Sequence, residues 1–143
     1  MTRCRCAILA ALVWGCTAPV SGTGPPPVDL LGTWTYKGDQ ANPPATLNGT
    51  LTITSQSGQD FTGTLDVTQT DVSGSHPLSG PVTGRALDAT SVDFDVFFTA
   101  DPAARRHLGT VKMDSLTNGT WVESGPSGPI ATGSFKSARQ SGP

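Results

Sequence analysis

Hydrophobic and polar side chains alternate with a period of two along most of this chain, and nothing in it has convincing helical periodicity. In Thr46–Thr54, Leu47, Leu51 and Ile53 share one face while Thr46, Asn48, Thr50, Thr52 and Thr54 share the other. In Asp60–Thr70, Phe61, Leu65 and Val67 alternate with Thr62, Thr64, Asp66 and Thr68. Period two with one wet face predicts antiparallel strands lying on a core. The intervening Ser55-Gln-Ser-Gly-Gln59 supplies a turn, so the two form a hairpin. Ser91–Thr99 repeats the pattern, with Val92, Phe94, Val96 and Phe98 set against Asp93 and Asp95. Phe97 breaks it on the polar side and is expected to lie under a neighbouring loop. Weaker alternation predicts strands at Leu30–Tyr36, Leu78–Leu87, His107–Met113, Leu116–Glu123 and Ile130–Lys136, with a two-residue hairpin at Met113-Asp-Ser-Leu116.

Eight short strands with close connections form either a sandwich or a barrel, and closure is the solution that leaves no edge exposed to aggregation. The expected fold is all-β, an eight-stranded antiparallel up-and-down barrel. Glycines inside strands (Gly32, Gly49, Gly63, Gly80, Gly84, Gly119, Gly133) serve as the bend points that a small, strongly coiled barrel needs. The longest interruption, Ala100-Asp-Pro-Ala-Ala-Arg-Arg106, places Asp before Pro and predicts a cap and the first turn of a short helix, ending in a basic loop tip.

The first thirty residues differ from the rest. Arg3 and Arg5 precede an apolar run, Cys6 to Gly15, about half the length of a membrane-spanning helix and suited to the core of an export signal. Residues 17–29 carry four prolines and two glycines without hydrophobic periodicity, and read as a tether reaching up to roughly 40 Å in polyproline geometry. The expected organisation is thus a signal over 1–15, Cys16 and the tether over 16–29, one β-barrel domain over 30–139, and a disordered tail over 140–143. Without Arg3 and Arg5, nine Lys and Arg become seven against eleven Asp and Glu, a net charge of about −4 that gives no support to nucleic-acid or polybasic lipid binding. Cys4 and Cys6 leave with the signal, so the domain keeps no thiol for a disulfide, a zinc site or a nucleophile.

Val13, Gly15 and Cys16 resemble the lipobox of bacterial lipoproteins, in which an aliphatic residue stands three before an acylated cysteine; Trp14 is larger than the residue usual in its place. The resemblance implies cleavage before Cys16, lipidation of its thiol, and a cell-envelope location. Thr17, where Asp would retain the protein at the inner membrane, implies the outer one. The ends of the domain resemble lipocalins and avidins, the calycin barrels. Gly32-Thr-Trp34 has the Gly-x-Trp form of their first strand, and Phe135-Lys-Ser-Ala-Arg139 closes the last strand with an arginine. That similarity implies Trp34 and Arg139 packed against each other to close one end of the barrel, through a cation–π contact of about 0.5–2 kcal/mol.

Candidate chemistry is sparse. His76 and His107 are read as solvated loop residues, and Asp93 and Asp95 as solubilising acids that could at most hold a cation. The Asn-Gly-Thr triplets at Asn48 and Asn118 are read as turn and strand residues rather than glycan acceptors. No serine sits in a nucleophile elbow and no cluster of polar groups is evident for the barrel interior, so an enzyme, a metal and a cofactor are not expected. If the barrel holds a cavity, Trp34, Tyr36, Phe94, Val96 and Trp121 are expected to line it and to take a small hydrophobic ligand; otherwise they are filler. The alternative function is recognition of an envelope protein or glycan, or inhibition of one, through the outer Thr/Ser face or a loop tip at Arg105, Arg106 and His107.

Overall fold

Alternation this regular commits each segment to presenting one face inward. In the computed structural model, which describes residues 27–99 and 103–141, eight strands do so: β1 (Gly32–Gln40), β2 (Ala45–Ser57), β3 (Asp60–Asp71), β4 (Gly74–Ala86), β5 (Ser91–Val96), β6 (Arg105–Lys112), β7 (Ser115–Gly125) and β8 (Gly128–Arg139). Each pairs antiparallel with the next, and β8 returns to β1, closing an up-and-down barrel. No helix occurs among the described residues. The expected signal, Cys16 and the tether as far as residue 26 lie outside them, as do Ala100–Pro102 and the last two residues of the tail.

The eight expected strands all find counterparts, with most of their ends shifted by a few residues, and β5 stops at Val96 short of the expected Thr99. β1 runs on to Gln40 and β4 starts at Gly74, because cross-strand bonds extend pairing through stretches whose glycine and proline obscure alternation. The hairpin between β6 and β7 turns on Met113-Asp114, one residue earlier than predicted, since Lys112 pairs with Ser115. The basic tip is corrected outright: Arg105 and Arg106 open β6, with Arg105 and His107 buried. Phe97 is not covered by any described loop and stays half exposed.

Met113 occupies that turn with φ 50°, in the left-handed region. A side chain with a Cβ is strained there and glycine is not. Met113→Gly, in which a largely exposed side chain is lost, is expected to raise stability by about 0.5–1 kcal/mol, read as a higher Tm in thermal unfolding.

The connections define two ends. Gly58-Gln59, Leu87–Thr90, Met113-Asp114 and both termini of the domain lie at one, the terminal end; Ala41–Pro44, Val72-Ser73, residues 97–99 and 103–104, and Pro126-Ser127 lie at the other, the loop end. Leu30 lids the terminal end: its carbonyl accepts from Trp34 Nε1–H at 3.0 Å, and Gln56 accepts from its amide at 2.9 Å while donating to Val28 O at 2.8 Å. Arg139, register partner of Trp34 across β1 and β8, lays its guanidinium 4.5 Å from the indole centroid and donates to the carbonyls of Asp29 and Leu31. The tail's first residue is also engaged, Gln140 N–H donating to Thr33 O at 2.8 Å.

Candidate functional site

A line of register partners crosses the inner wall and organises the interior: Gln40, Gly133, Trp121, His107, Phe94, Gly84 and Phe61, each the cross-strand neighbour of the next. Two glycines break this row because the rings need their space. A Cβ on Gly133 would fall 2.4 Å from the Trp121 indole and 2.1 Å from Asp39 O, and one on Gly84 would fall 2.6 Å from the Phe61 ring. The rings pack accordingly. Phe94 stacks on His107 at 4.6 Å between centroids, Phe135 meets His107 edge-on at 5.1 Å, and Tyr36 stacks on Phe135 at 5.5 Å.

His107 is therefore the centre of an aromatic cluster. Its Nδ1–H donates to Arg105 O at 2.9 Å, which leaves Nε2 to accept the Tyr36 hydroxyl at 3.1 Å. Burial drives its pKa down to about 3, outweighing the Arg105 carbonyl, and burial likewise pushes the Tyr36 phenol well above its usual range. Both groups are neutral at physiological pH and hold each other in place. The consequence for stability has a definite sign. Above pH 6.5 neither folded nor unfolded chain binds this proton; below it the unfolded chain does and the native chain does not until about pH 3. Stability is expected to fall on acidification from pH 6.5, at up to about 1.4 kcal/mol per pH unit, and His107→Gln is expected to flatten that slope in urea titrations at pH 7, 6 and 5.

One layer nearer the loop end, Arg105 and Glu123 are register partners and form a buried ion pair, Nε to Oε2 at 2.8 Å. The guanidinium also lies 4.9 Å from the Phe98 ring centroid and 5.0 Å from that of Trp121. Gln40 is buried here too and donates through Nε2 to Pro43 O at 2.9 Å. The interior is thus divided. Charged and amide groups gather toward the loop end, while Leu30, Trp34, Leu51, Ile53, Phe61, Val92, Phe94 and Leu116 fill the terminal half and leave about 10 Å³ among them.

All five residues expected to line a cavity point inward and are buried. They divide between two settings. Trp34 and Phe94 belong to the filled terminal half, whose remaining space is the volume of a single water. Tyr36 and Trp121 belong with the polar groups, as does Val96, the register partner of Arg105. Sequence reasoning missed Arg105, His107 and Glu123 as members of the site. The signal was present: Arg105, His107 and Val111 share one parity, as do Trp121 and Glu123, and strict alternation puts them inside.

The other candidates resolve outside the barrel. Asp93 is held by Arg106 through two bonds of 3.0 and 2.5 Å, and that hydrogen bonding lowers its pKa. Among the described residues no three acidic, histidine or cysteine side chains converge as metal ligands. His76 is half exposed beside Asp71 and Ser73 at the loop end. Asn118 sits at φ 50° where the β7–β8 register shifts, as a bulge residue. An outer groove of about 480 Å³ crosses Gly84, with its two arginines engaged by Asp60 and Asp93.

No protein-family model and no curated protein matches this chain. Solved structures do. EF1p2_mFAP2b bound to DFHBI superposes with a TM-score of 0.62 at 16% identity, over 78% of this chain and 94% of its own. A redesigned beta barrel, mFAP1, bound to DFHBI, gives 0.59 at 16% identity over 77% and 94%. A third, mFAP0 bound to DFHBI, gives 0.51 at 17% over 77% and 98%. At these identities the likeness is one of fold.

Proposed function

We propose that this chain is a non-enzymatic binding protein of the bacterial cell envelope, anchored through acylated Cys16 and of calycin type, whose barrel takes a small ligand at its loop end. The observation that carries the reading is the buried Arg105–Glu123 pair and Tyr36–His107 bond, set beside a terminal half filled by apolar side chains. A buried ion pair is often no better for stability than apolar residues of the same volume, so its presence in a small core argues for recognition. The terminal half is filled, which directs a ligand to the loop end, with its hydrophobic body against Phe98 and its polar group near Arg105 and Glu123. Three proteins of similar fold hold DFHBI, which supports a ligand role for this barrel. Catalysis is not part of the proposal, because His107 and Tyr36 are engaged with each other and far from the ionisation that proton transfer at neutral pH requires.

Native mass spectrometry of the protein, mixed in turn with DFHBI, fluorescent fatty acid and an envelope lipid extract, tests the reading. A one-to-one adduct lost in Arg105→Met/Glu123→Leu is expected; protein that stays unliganded in all three defeats it. Palmitate labelling that fails to distinguish the wild type from Cys16→Ser removes the anchor. One observation favours a second reading, recognition of an envelope protein: Val72, Phe97 and Ile130 are large, exposed and all at the loop end. Crosslinking from Phe97 in intact cells that returns no partner counts against it.

A further inference from the structure

Residues 28–31 cross the terminal end ahead of the ladder, whose first register pair is Gly32 with Ile53. Side chains hold them there. Gln56 donates to Val28 O and accepts from Leu30 N–H, and Trp34 Nε1–H donates to Leu30 O. Arg139 donates through Nη2 to Asp29 O at 2.6 Å and through Nη1 to Leu31 O, while Asp114 takes its Nε edge at 3.0 Å. Beneath this strap the buried Leu30 side chain fills an apolar chamber among Leu51, Ile53, Val92 and Leu116. Gly32 joins strap to strand at φ 122°, a conformation that glycine adopts without strain and other residues do not, and is the joint at which the strap can turn away from β1.

An alkyl group in a dry chamber and two carbonyl oxygens on one guanidinium are what an aliphatic carboxylate would present. The covalent path makes the likeness specific. From the Asp29 carbonyl carbon through Leu30 N, Cα and Cβ to Cγ and its two methyls, the strap has the heavy-atom skeleton of 5-methylhexanoate. We infer that the terminal end is a binding site for a short, branched aliphatic carboxylate, held by Arg139 and occupied in this structure by the chain's own residues 29–31. A carboxylate on the guanidinium makes charge-assisted bonds, roughly twice as strong as those to neutral peptide carbonyls, and so can displace them. Lifting the strap breaks no ladder bond, and the leucine burial given up is restored by the ligand's own alkyl group. The site lies at the opposite end from the ligand of the proposed function and does not depend on it.

The full chain is titrated with 5-methylhexanoate, and with 5-methylhexanamide as the uncharged control, while indole N–H signals and amide hydrogen exchange are followed by NMR. A saturable shift of the Trp34 indole, assigned from Trp34→Phe, is expected as it loses Leu30 O. The Leu30 amide is expected to exchange faster as it leaves Gln56, with no loss of protection in β3 and β4. Leu30→Ala takes away the competing side chain and is expected to bind the carboxylate at least about tenfold tighter than the wild type. Arg139→Gln is expected to remove the preference for carboxylate over amide. Uptake in Leu30→Ala alone, with that preference, supports the site and shows the strap holding it shut. Carboxylate and amide bound alike, uptake that leaves the Leu30 amide protected in the wild type, or no uptake in either protein overturns the inference. Arg105→Met/Glu123→Leu separates the two ends: it is expected to bind 5-methylhexanoate as the wild type does, and a loss there assigns the carboxylate to the loop end and overturns the inference too.

Discussion

Glu123→Ala is expected to destabilise the barrel by about 3–5 kcal/mol, because it takes from the buried Arg105 guanidinium the carboxylate bonded to it at 2.8 Å. In a domain of this size such a loss lowers Tm by roughly 15 °C or more, a large share of the whole stability. The guanidinium keeps its contacts with Phe98 and Trp121, but ring faces replace only part of a carboxylate's field. The informative comparison is Arg105→Met/Glu123→Leu, expected to regain most of the loss because it removes both charges and fills their volume. Urea unfolding of the wild type and both variants measures this. A double variant as unstable as Glu123→Ala would mean that packing rather than charge governs the site. A double variant that is stable yet takes up no ligand is the pattern expected of a pair retained for recognition.

Trp34→Ala is the second large effect, at about 3–5 kcal/mol. The indole is almost wholly buried and closes the terminal end through three separate contacts. Its N–H holds Leu30 O, its face carries Arg139, and its ring borders the same small space as Leu51, Ile53 and Leu116. Alanine removes all three, leaving a void beside the small space already there. Trp34→Phe, which keeps most of the packing and a ring face for Arg139, is expected to cost less than half as much. Amide hydrogen exchange separates the layers: in Trp34→Ala the Leu30 and Arg139 amides are expected to lose protection first, while those of β3 and β4 follow global unfolding. Equal loss throughout would show that the lid and the wall are one cooperative unit.

The two variants probe opposite ends of a single interior, and the ends differ in how visible they were beforehand. Trp34 and Arg139 stand out in the sequence because Gly32-Thr-Trp34 and the final arginine resemble a known pattern, and the structure places one over the other. Arg105, Glu123 and His107 do not stand out. A charged residue in an amphipathic strand is ordinarily assigned to the wet face, and Arg105-Arg106 beside a proline-containing loop looks like a solvated tip. Only β6 set between β5 and β7 shows that the first arginine faces a carboxylate of β7 in the core and the second reaches Asp93 of β5 on the outer wall.

By itself the amino-acid sequence determined where the strands lie and which face of most of them is dry, because both follow from a period of two that each segment carries locally. Tertiary structure alone decided that Gly133 lies between Gln40 and Trp121, and that Arg105, Glu123, Gln40, Tyr36 and His107 are gathered in one part of the interior. The physical reason is range: alternation is a property of neighbours two residues apart, whereas an ion pair from β6 to β7, or a hydroxyl on β1 held by a ring on β6, exists only after the wall has curved round to bring distant strands face to face.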